Sequence, residues 1–192
     1  MSMMDKKQLR DHFRQIRVET DHDKEQIIWD KAISERVIGH EAYLNCEQIL
    51  IYVSGEIEVC TTQIIEDAFQ KGKTVLVPKC VNGTNIMEFY RITSFDDLDV
   101  GSYGILEPVD KCEKYDKFDN ALCIVPGLSF DMKGYRLGFG KGFYDRFLAE
   151  HNMSTIGLCY ENCLTESLPA DGYDISVDCI VTEKRVISVK KG

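Results

Sequence analysis

The stretch richest in chemistry runs from Val125 to Leu148. It reads Val-Pro-Gly-Leu-Ser-Phe-Asp, then Met-Lys-Gly-Tyr, then Arg136-Leu-Gly-Phe-Gly-Lys-Gly-Phe-Tyr-Asp-Arg-Phe-Leu148. A buried strand should end at Pro126-Gly127, a loop should follow with glycines at 134, 138, 140 and 142, and a helix should then begin. This pattern suits a phosphate-bearing ligand. Closely spaced glycines let backbone N–H groups approach an anion. A helix start adds unpaired N–H groups and a positive dipole end, and Arg136 and Lys141 offer charge-assisted hydrogen bonds. The familiar phosphate motifs do not fit. A P-loop needs Gly at 135, where Tyr stands, and Ser or Thr after Lys141, where Gly142 stands; the dinucleotide fingerprint needs Gly at 143, where Phe stands. A plain flexible turn therefore stands beside the phosphate reading at this point.

A second group of cations lies near the start. Residues 5–18 read as a helix, with Leu9, Phe13 and Ile16 as its apolar stripe. Lys6, Arg10, Arg14 and Arg17 fall within an arc of about 80° at helical spacing. Like charges four apart repel by about a few tenths of a kcal/mol. Such a face is either a solvated basic surface or a grip on an anion, and few acids accompany it locally.

The elements that must position these residues alternate. After a second helix, capped near Thr20 or Asp21 and ending near Gly39, come a strand at 49–54, a helix at 61–71 and a strand at 74–77 closed by Pro78. Trp29 of the second helix reads as packing. Strands at 87–92, 121–125, 155–159, 179–182 and 186–189 follow, with a helix at 142–151 and a polar, turn-rich stretch at 94–120. Near-continuous apolar strands separated by helices imply an α/β fold: a single three-layer domain, spanning 1–192, with a mostly parallel sheet covered by helices on both faces. In such a sheet ligands bind beyond the carboxyl ends of the strands, where the glycine loop falls.

Composition bounds the rest. The formal charge of −9 argues against nucleic acid, which asks for a basic footprint. It does not exclude a small polyanion held by a local basic cluster. Eight cysteines form no C-x-x-C pair, and Cys123 sits inside Ala-Leu-Cys-Ile-Val, the setting of a buried hydrophobe. We expect reduced thiols, no membrane span, no secretory signal ahead of the charged Met-Ser-Met-Met-Asp-Lys-Lys start, and a cytoplasmic protein, monomeric rather than oligomeric.

The string Arg136 to Leu148, with the Val-Pro-Gly-Leu-Ser-Phe-Asp before it, resembles the signature of the 5-formyltetrahydrofolate cyclo-ligase family. Lys6-x-x-Leu9-Arg10, Glu56-Ile-Glu, Val77-Pro-Lys79, Gly104-Ile-Leu-Glu107-Pro and Val177-Asp178 match in order, so the resemblance spans nearly the whole chain. Phe139 and Phe143 depart from the commoner basic or polar residue and Tyr. The resemblance implies a Rossmann-like fold (NagB/RpiA/CoA transferase-like) and an ATP- and Mg2+-dependent ring closure of 5-formyltetrahydrofolate to 5,10-methenyltetrahydrofolate. It implies ATP contacts from Lys6, Arg10, Arg136, Gly138, Gly140, Lys141, Gly142 and Tyr144, with Arg136 and Lys141 catalytic. Folate contacts would come from Val53, Glu56, Phe139, Phe143 and Tyr144, and Mg2+ would take Asp145 and Asp178. Glu107 is a further candidate near the substrate, Lys79 an open one, and Arg14 and Arg17 fall outside the matched pattern. A sugar-phosphate isomerase on a similar sheet and a non-catalytic folate-binding protein are the alternatives; the isomerase needs no ATP.

Overall fold

The computed structural model describes residues 5–20, 24–101 and 104–190. The chain forms α1 (Lys6–Glu19), α2 (Glu25–Ile38), α3 (Glu41–Asn45), β1 (Gln48–Leu50), α4 (Thr62–Gln70), β2 (Thr74–Cys80) and β3 (Met87–Ile92). Then come β4 (Leu98–Val100), β5 (Leu106–Pro108), β6 (Lys114–Tyr115), β7 (Ala121–Val125), β8 (Ser129–Asp131) and β9 (Arg136–Leu137). The last elements are α5 (Phe143–Glu150), β10 (Ser154–Leu158), β11 (Leu164–Thr165), β12 (Cys179–Val181) and β13 (Val186–Ser188).

One eight-stranded sheet organises the molecule, in the order β13-β12-β10-β7-β1-β2-β3-β6. Its centre, from β12 to β2, is parallel, and β13, β3 and β6 join antiparallel at the two edges. All five residues of β7 are buried, so both faces of the sheet are covered at its centre. That is the mostly parallel, two-sided α/β architecture read from the sequence. Strand order reverses between β1 and β7: the chain winds outward through β2 and β3, returns to β7, and continues the other way through β10 and β12. A crevice opens at the carboxyl ends of the strands at such a reversal, the usual ligand position in this architecture.

Local chemistry explains the boundaries. Asp5 caps α1 through the Lys7 and Gln8 amides, and the Gln8 side chain accepts from the Asp5 amide in return. Thr20 does not start α2. Its hydroxyl donates back to the Ile16 carbonyl at 3.0 Å and closes α1, while α2 follows Lys24 without a side-chain cap; Asp21 lies outside the described residues. The strand expected at 49–54 is regular only to Leu50, because Thr61 Oγ1 takes the Tyr52 carbonyl at 2.7 Å and turns the chain toward α4. Pro78 does not end β2. The strand has already passed the end of β1 and pairs Pro78 with Phe89 of antiparallel β3, so the missing N–H removes no bond to β1. The stretch 94–120 holds the β4–β5 ribbon and β6, and β8, β9 and β11 make a separate small sheet. Trp29 packs on Tyr160 with ring centroids 5.6 Å apart. All eight cysteines are free thiols, and no helix among the described residues is long and apolar enough to cross a membrane.

Candidate active site

A cavity of about 710 Å³ opens at the strand reversal. Tyr52 and Val53, just past β1, and Pro126, just past β7, form its floor; Pro78 and Cys80 at the end of β2 form one wall. The glycine loop and the start of α5 form the opposite wall, and Ile105, Leu106 and Glu107 of the β4–β5 ribbon lie at its edge.

The loop is held in place by its own sequence and by α1. The β8–β9 turn closes on Asp131, a fully buried carboxylate that accepts from the Lys133 and Tyr135 amides and, through its other oxygen, from the Leu168 amide. Beyond β9, Gly140 takes φ +101° directly beneath the Arg10 guanidinium, where a Cβ would stand 3.3 Å from that group. Gly142 takes φ +69° as the residue before α5. Both conformations favour glycine. Arg10 Nε donates to the Gly138 carbonyl at 2.9 Å, so α1 grips the loop directly.

The four cations of α1 separate into distinct tasks. Lys6 Nζ bridges Asp171 and Asp174 at 2.7 and 2.8 Å, partners 165 and 168 residues away in sequence. These two bonds hold Lys6 above its ordinary pKa against the opposing effect of burial. Burial alone would raise Asp174, but its bond to Lys6 and the Asp171 amide hold it below the usual carboxylate value. Arg14 stays exposed, its guanidinium 5.9 Å from the Phe139 ring centroid. Arg17 is buried, at 2% exposure, and donates to the carbonyls of Leu128, Ile57 and Gly127 at 3.2, 2.7 and 2.5 Å. It ties the two segments that follow β1 and β7 to one helix. A solvated basic face is therefore the wrong description of α1.

Arg136 is almost fully buried. It pairs with Asp145 at 2.9 Å, donates to the Ile175 carbonyl at 3.1 Å, and lies 5.8 Å from the Tyr144 ring centroid. Asp145 also accepts from the Ile175 amide at 3.1 Å, which fixes the first turn of α5 against the 171–175 segment. Lys141 is exposed at the cavity edge and has no partner among the described residues. The Tyr144 hydroxyl is buried without a hydrogen-bond partner, and burial pushes its pKa well up.

Lys6, Arg10, Arg136, Gly138, Gly140 and Lys141 all line this cavity, as the sequence led us to expect. So do Gly142, Phe143, Tyr144, Asp145, Phe139 and Val53. Two of the expected residues lie off the cavity wall. Asp178 is not in the cavity: its Oδ2 accepts from the Thr155 amide and hydroxyl, both at 2.8 Å, and joins the amino ends of β10 and β12. Asp174, four residues earlier, takes the place at the cavity. Glu56 is exposed on a turn and off the cavity wall, whereas Glu58 lines it, with Oε2 accepting from the Gly55 amide at 2.9 Å. Burial raises the Glu58 pKa, against the opposing effects of that amide and Arg17. Lys79 is held by the Pro108 carbonyl and Asp110, both at 3.0 Å, and serves the β4–β5 ribbon. The sequence marks Asp174 only as the second acid of an Asp-Gly-Tyr-Asp turn, and nothing in it separates Glu58 from Glu56.

Fold and cavity together describe an α/β protein whose one cavity is lined both by a basic, glycine-rich loop and by apolar and aromatic side chains. Comparison with known proteins sharpens that class. The model of the 5-formyltetrahydrofolate cyclo-ligase family matches residues 2–183. A probable 5-formyltetrahydrofolate cyclo-ligase of Schizosaccharomyces pombe is 32% identical, over 81% of this chain and 84% of its own. The 5-formyltetrahydrofolate cyclo-ligase of Mus musculus is 31% identical, over 79% of this chain and 80% of its own. The solution structure of Aquifex aeolicus 5,10-methenyltetrahydrofolate synthetase superposes with a TM-score of 0.84 at 32% identity, covering 98% of this chain and 95% of that one. The Mycoplasma pneumoniae 5,10-methenyltetrahydrofolate synthetase, at 23% identity and a TM-score of 0.75, shares the fold. The chain belongs to the 5-formyltetrahydrofolate cyclo-ligase family, a family of ATP-dependent ligases.

Proposed function

We propose that this cavity closes the ring of 5-formyltetrahydrofolate, with ATP as co-substrate, to give 5,10-methenyltetrahydrofolate, ADP and phosphate. The supporting observation is that one cavity joins two unlike surfaces. The loop amides, Arg10, Arg136 and Lys141 suit a triphosphate, while Tyr52, Val53, Phe143 and Tyr144 suit a flat heteroaromatic ring. A formyl oxygen on nitrogen is a poor leaving group. Transfer of the γ-phosphoryl group to that oxygen makes an imidate-like phosphate, and N10 of the same molecule then attacks the formyl carbon. Because that attack is intramolecular, the substrate itself brings the reacting atoms together. The protein's tasks are to align the phosphoryl group and to balance its charge, and Arg136 and Lys141 carry them.

Asp145 and Asp174 fit a hard divalent cation: both are carboxylates that line the cavity, beside Arg136 and Lys6. Among the described residues no cluster of three or more metal-binding side chains occurs. Two carboxylates suffice for Mg2+, which takes its remaining ligands from phosphate and water. When bound there, Mg2+ would neutralise phosphate charge. Eight free thiols agree with a reducing, cytoplasmic setting. The test is direct: protein, 5-formyltetrahydrofolate and MgATP should give the near-ultraviolet absorbance of the methenyl product. Folded protein that produces no absorbance change overturns the proposal, and turnover without ATP would favour an isomerase-type enzyme.

A further inference from the structure

Ring closure leaves one proton without an acceptor. N10 of the substrate is a secondary amine. Its lone pair forms the new C–N bond, and the nitrogen becomes positively charged while still carrying its hydrogen. That proton must leave as the C–O bond breaks, with the bonding pair departing on phosphate, for the amidinium product to form. The cavity holds few groups able to take it. Lys6, Arg10, Arg136 and Lys141 are cations. Asp145 is engaged by Arg136, and Asp171 and Asp174 by Lys6. Tyr52 donates its hydroxyl to the Val59 carbonyl at 2.9 Å. Glu107 packs against Gly101 within the β4–β5 ribbon. Glu58 is different: it is a cavity-lining carboxylate whose hydrogen bond comes from a neutral amide, that of Gly55, and among the described residues no salt bridge ties it to a cation, the Arg17 charge acting on it without a direct bond. It stands on the segment that Arg17 anchors through the Ile57 carbonyl, so its backbone is fixed.

We infer that Glu58 is the general base that takes the N10 proton during ring closure. The inference rests on the cyclo-ligase reading above. Desolvation, the largest influence on this carboxyl, raises its basicity; the Gly55 amide and the Arg17 charge oppose it. Tyr52 and Tyr144 are the other titratable groups that face it. The proton passes from Glu58 to solvent once phosphate and product leave.

The test is Glu58→Gln, which keeps the shape and the Gly55 bond but accepts no proton. Loss of a general base should lower kcat by about 10²- to 10⁴-fold. In rapid-quench experiments with 5-formyltetrahydrofolate and MgATP, ADP should form faster than the methenyl product, because phosphoryl transfer comes first. The acidic limb of the wild-type kcat–pH profile should disappear in the variant. Glu58→Asp, one methylene shorter, should recover part of the lost rate. A kcat within about threefold of wild type, a rise in KM alone, or ADP and product slowed in parallel would each overturn the assignment. Wild-type enzyme that forms ADP and product at equal rates while Glu58→Gln does not supports it. Folded wild-type protein with no turnover would refute the cyclo-ligase reading itself, and the base with it.

Discussion

Replacing Arg17 by Met should unsettle the cavity from beneath while leaving every cavity-lining side chain in place. Met retains much of the apolar stem but none of the donors. Arg17 serves three carbonyls, at 3.2, 2.7 and 2.5 Å, and two of them belong to the buried residues Gly127 and Leu128. A buried acceptor left unpaired costs about 1–3 kcal/mol, so two of them cost about 2–6. The third, Ile57, is partly buried and can turn to water, and it adds about 1 kcal/mol or less. Loss of the guanidinium 5.3 Å from the Tyr160 ring centroid removes a further cation–π contact, worth about 0.5–2 kcal/mol. Against these stands the relief of no longer burying a charge, which returns several kcal/mol in comparable cases. The losses total about 2.5–9 kcal/mol, and with an offset of about 1–4 the mid-range balance is a loss of about 3 kcal/mol, a large fraction of the ~5–15 kcal/mol that holds a domain together. Urea denaturation followed by circular dichroism measures it. Arg17→Lys, which keeps the charge but not the fork, should fall between the two. A loss below about 1 kcal/mol for Arg17→Met would show that water replaces the guanidinium, and that the anchoring role assigned to it is wrong.

Three further outcomes are expected. Asp174→Asn should raise the Mg2+ concentration needed for half-maximal turnover. Asp178→Asn should leave that titration unchanged and lower the thermal midpoint, since its carboxylate bonds Thr155 rather than the cavity; the opposite pair of results would restore Asp178 to the metal site. Tyr144→Phe deletes a buried hydroxyl that bonds nothing in the free protein, so the thermal midpoint should hold or rise slightly while KM for ATP or folate increases. Lys141→Ala removes an exposed cation without a partner; stability should not change, and kcat/KM should fall by at least tenfold, measured by the absorbance of the methenyl product.

How much of this was legible in the sequence depended on range. Continuous apolar runs such as 121–125 declared the buried parallel strands, because both of their faces need the same chemistry. The glycine loop was legible because its signal is local: spacing, flanking cations and the following helix are all contiguous. Boundaries set by competing local bonds were not. Thr20 reads as a helix start and acts as a helix end, since a hydroxyl can bond backward as readily as forward. Arg17 looked like the fourth member of a basic stripe, and only the packed fold supplies three carbonyls at its tip. Asp174 and Glu58 escaped for a related reason. Each lies two or four residues from an equally acidic neighbour, and the choice is made by turns whose geometry depends on partners far along the chain.

The bond between Lys6 and Asp171 spans 165 positions of a 192-residue chain. Contacts of such separation close late, because the loop entropy must be met before they return any stability. On a ribosome, the two halves of that bond cannot meet until residue 171 has been synthesised. A nascent chain can thus assemble the β1–β2–β7 centre while the cavity still lacks the wall that Asp171 and Asp174 supply. Competence to bind is withheld from the partly made protein, and truncation anywhere before residue 171 leaves a sheet with no completed cavity at its end.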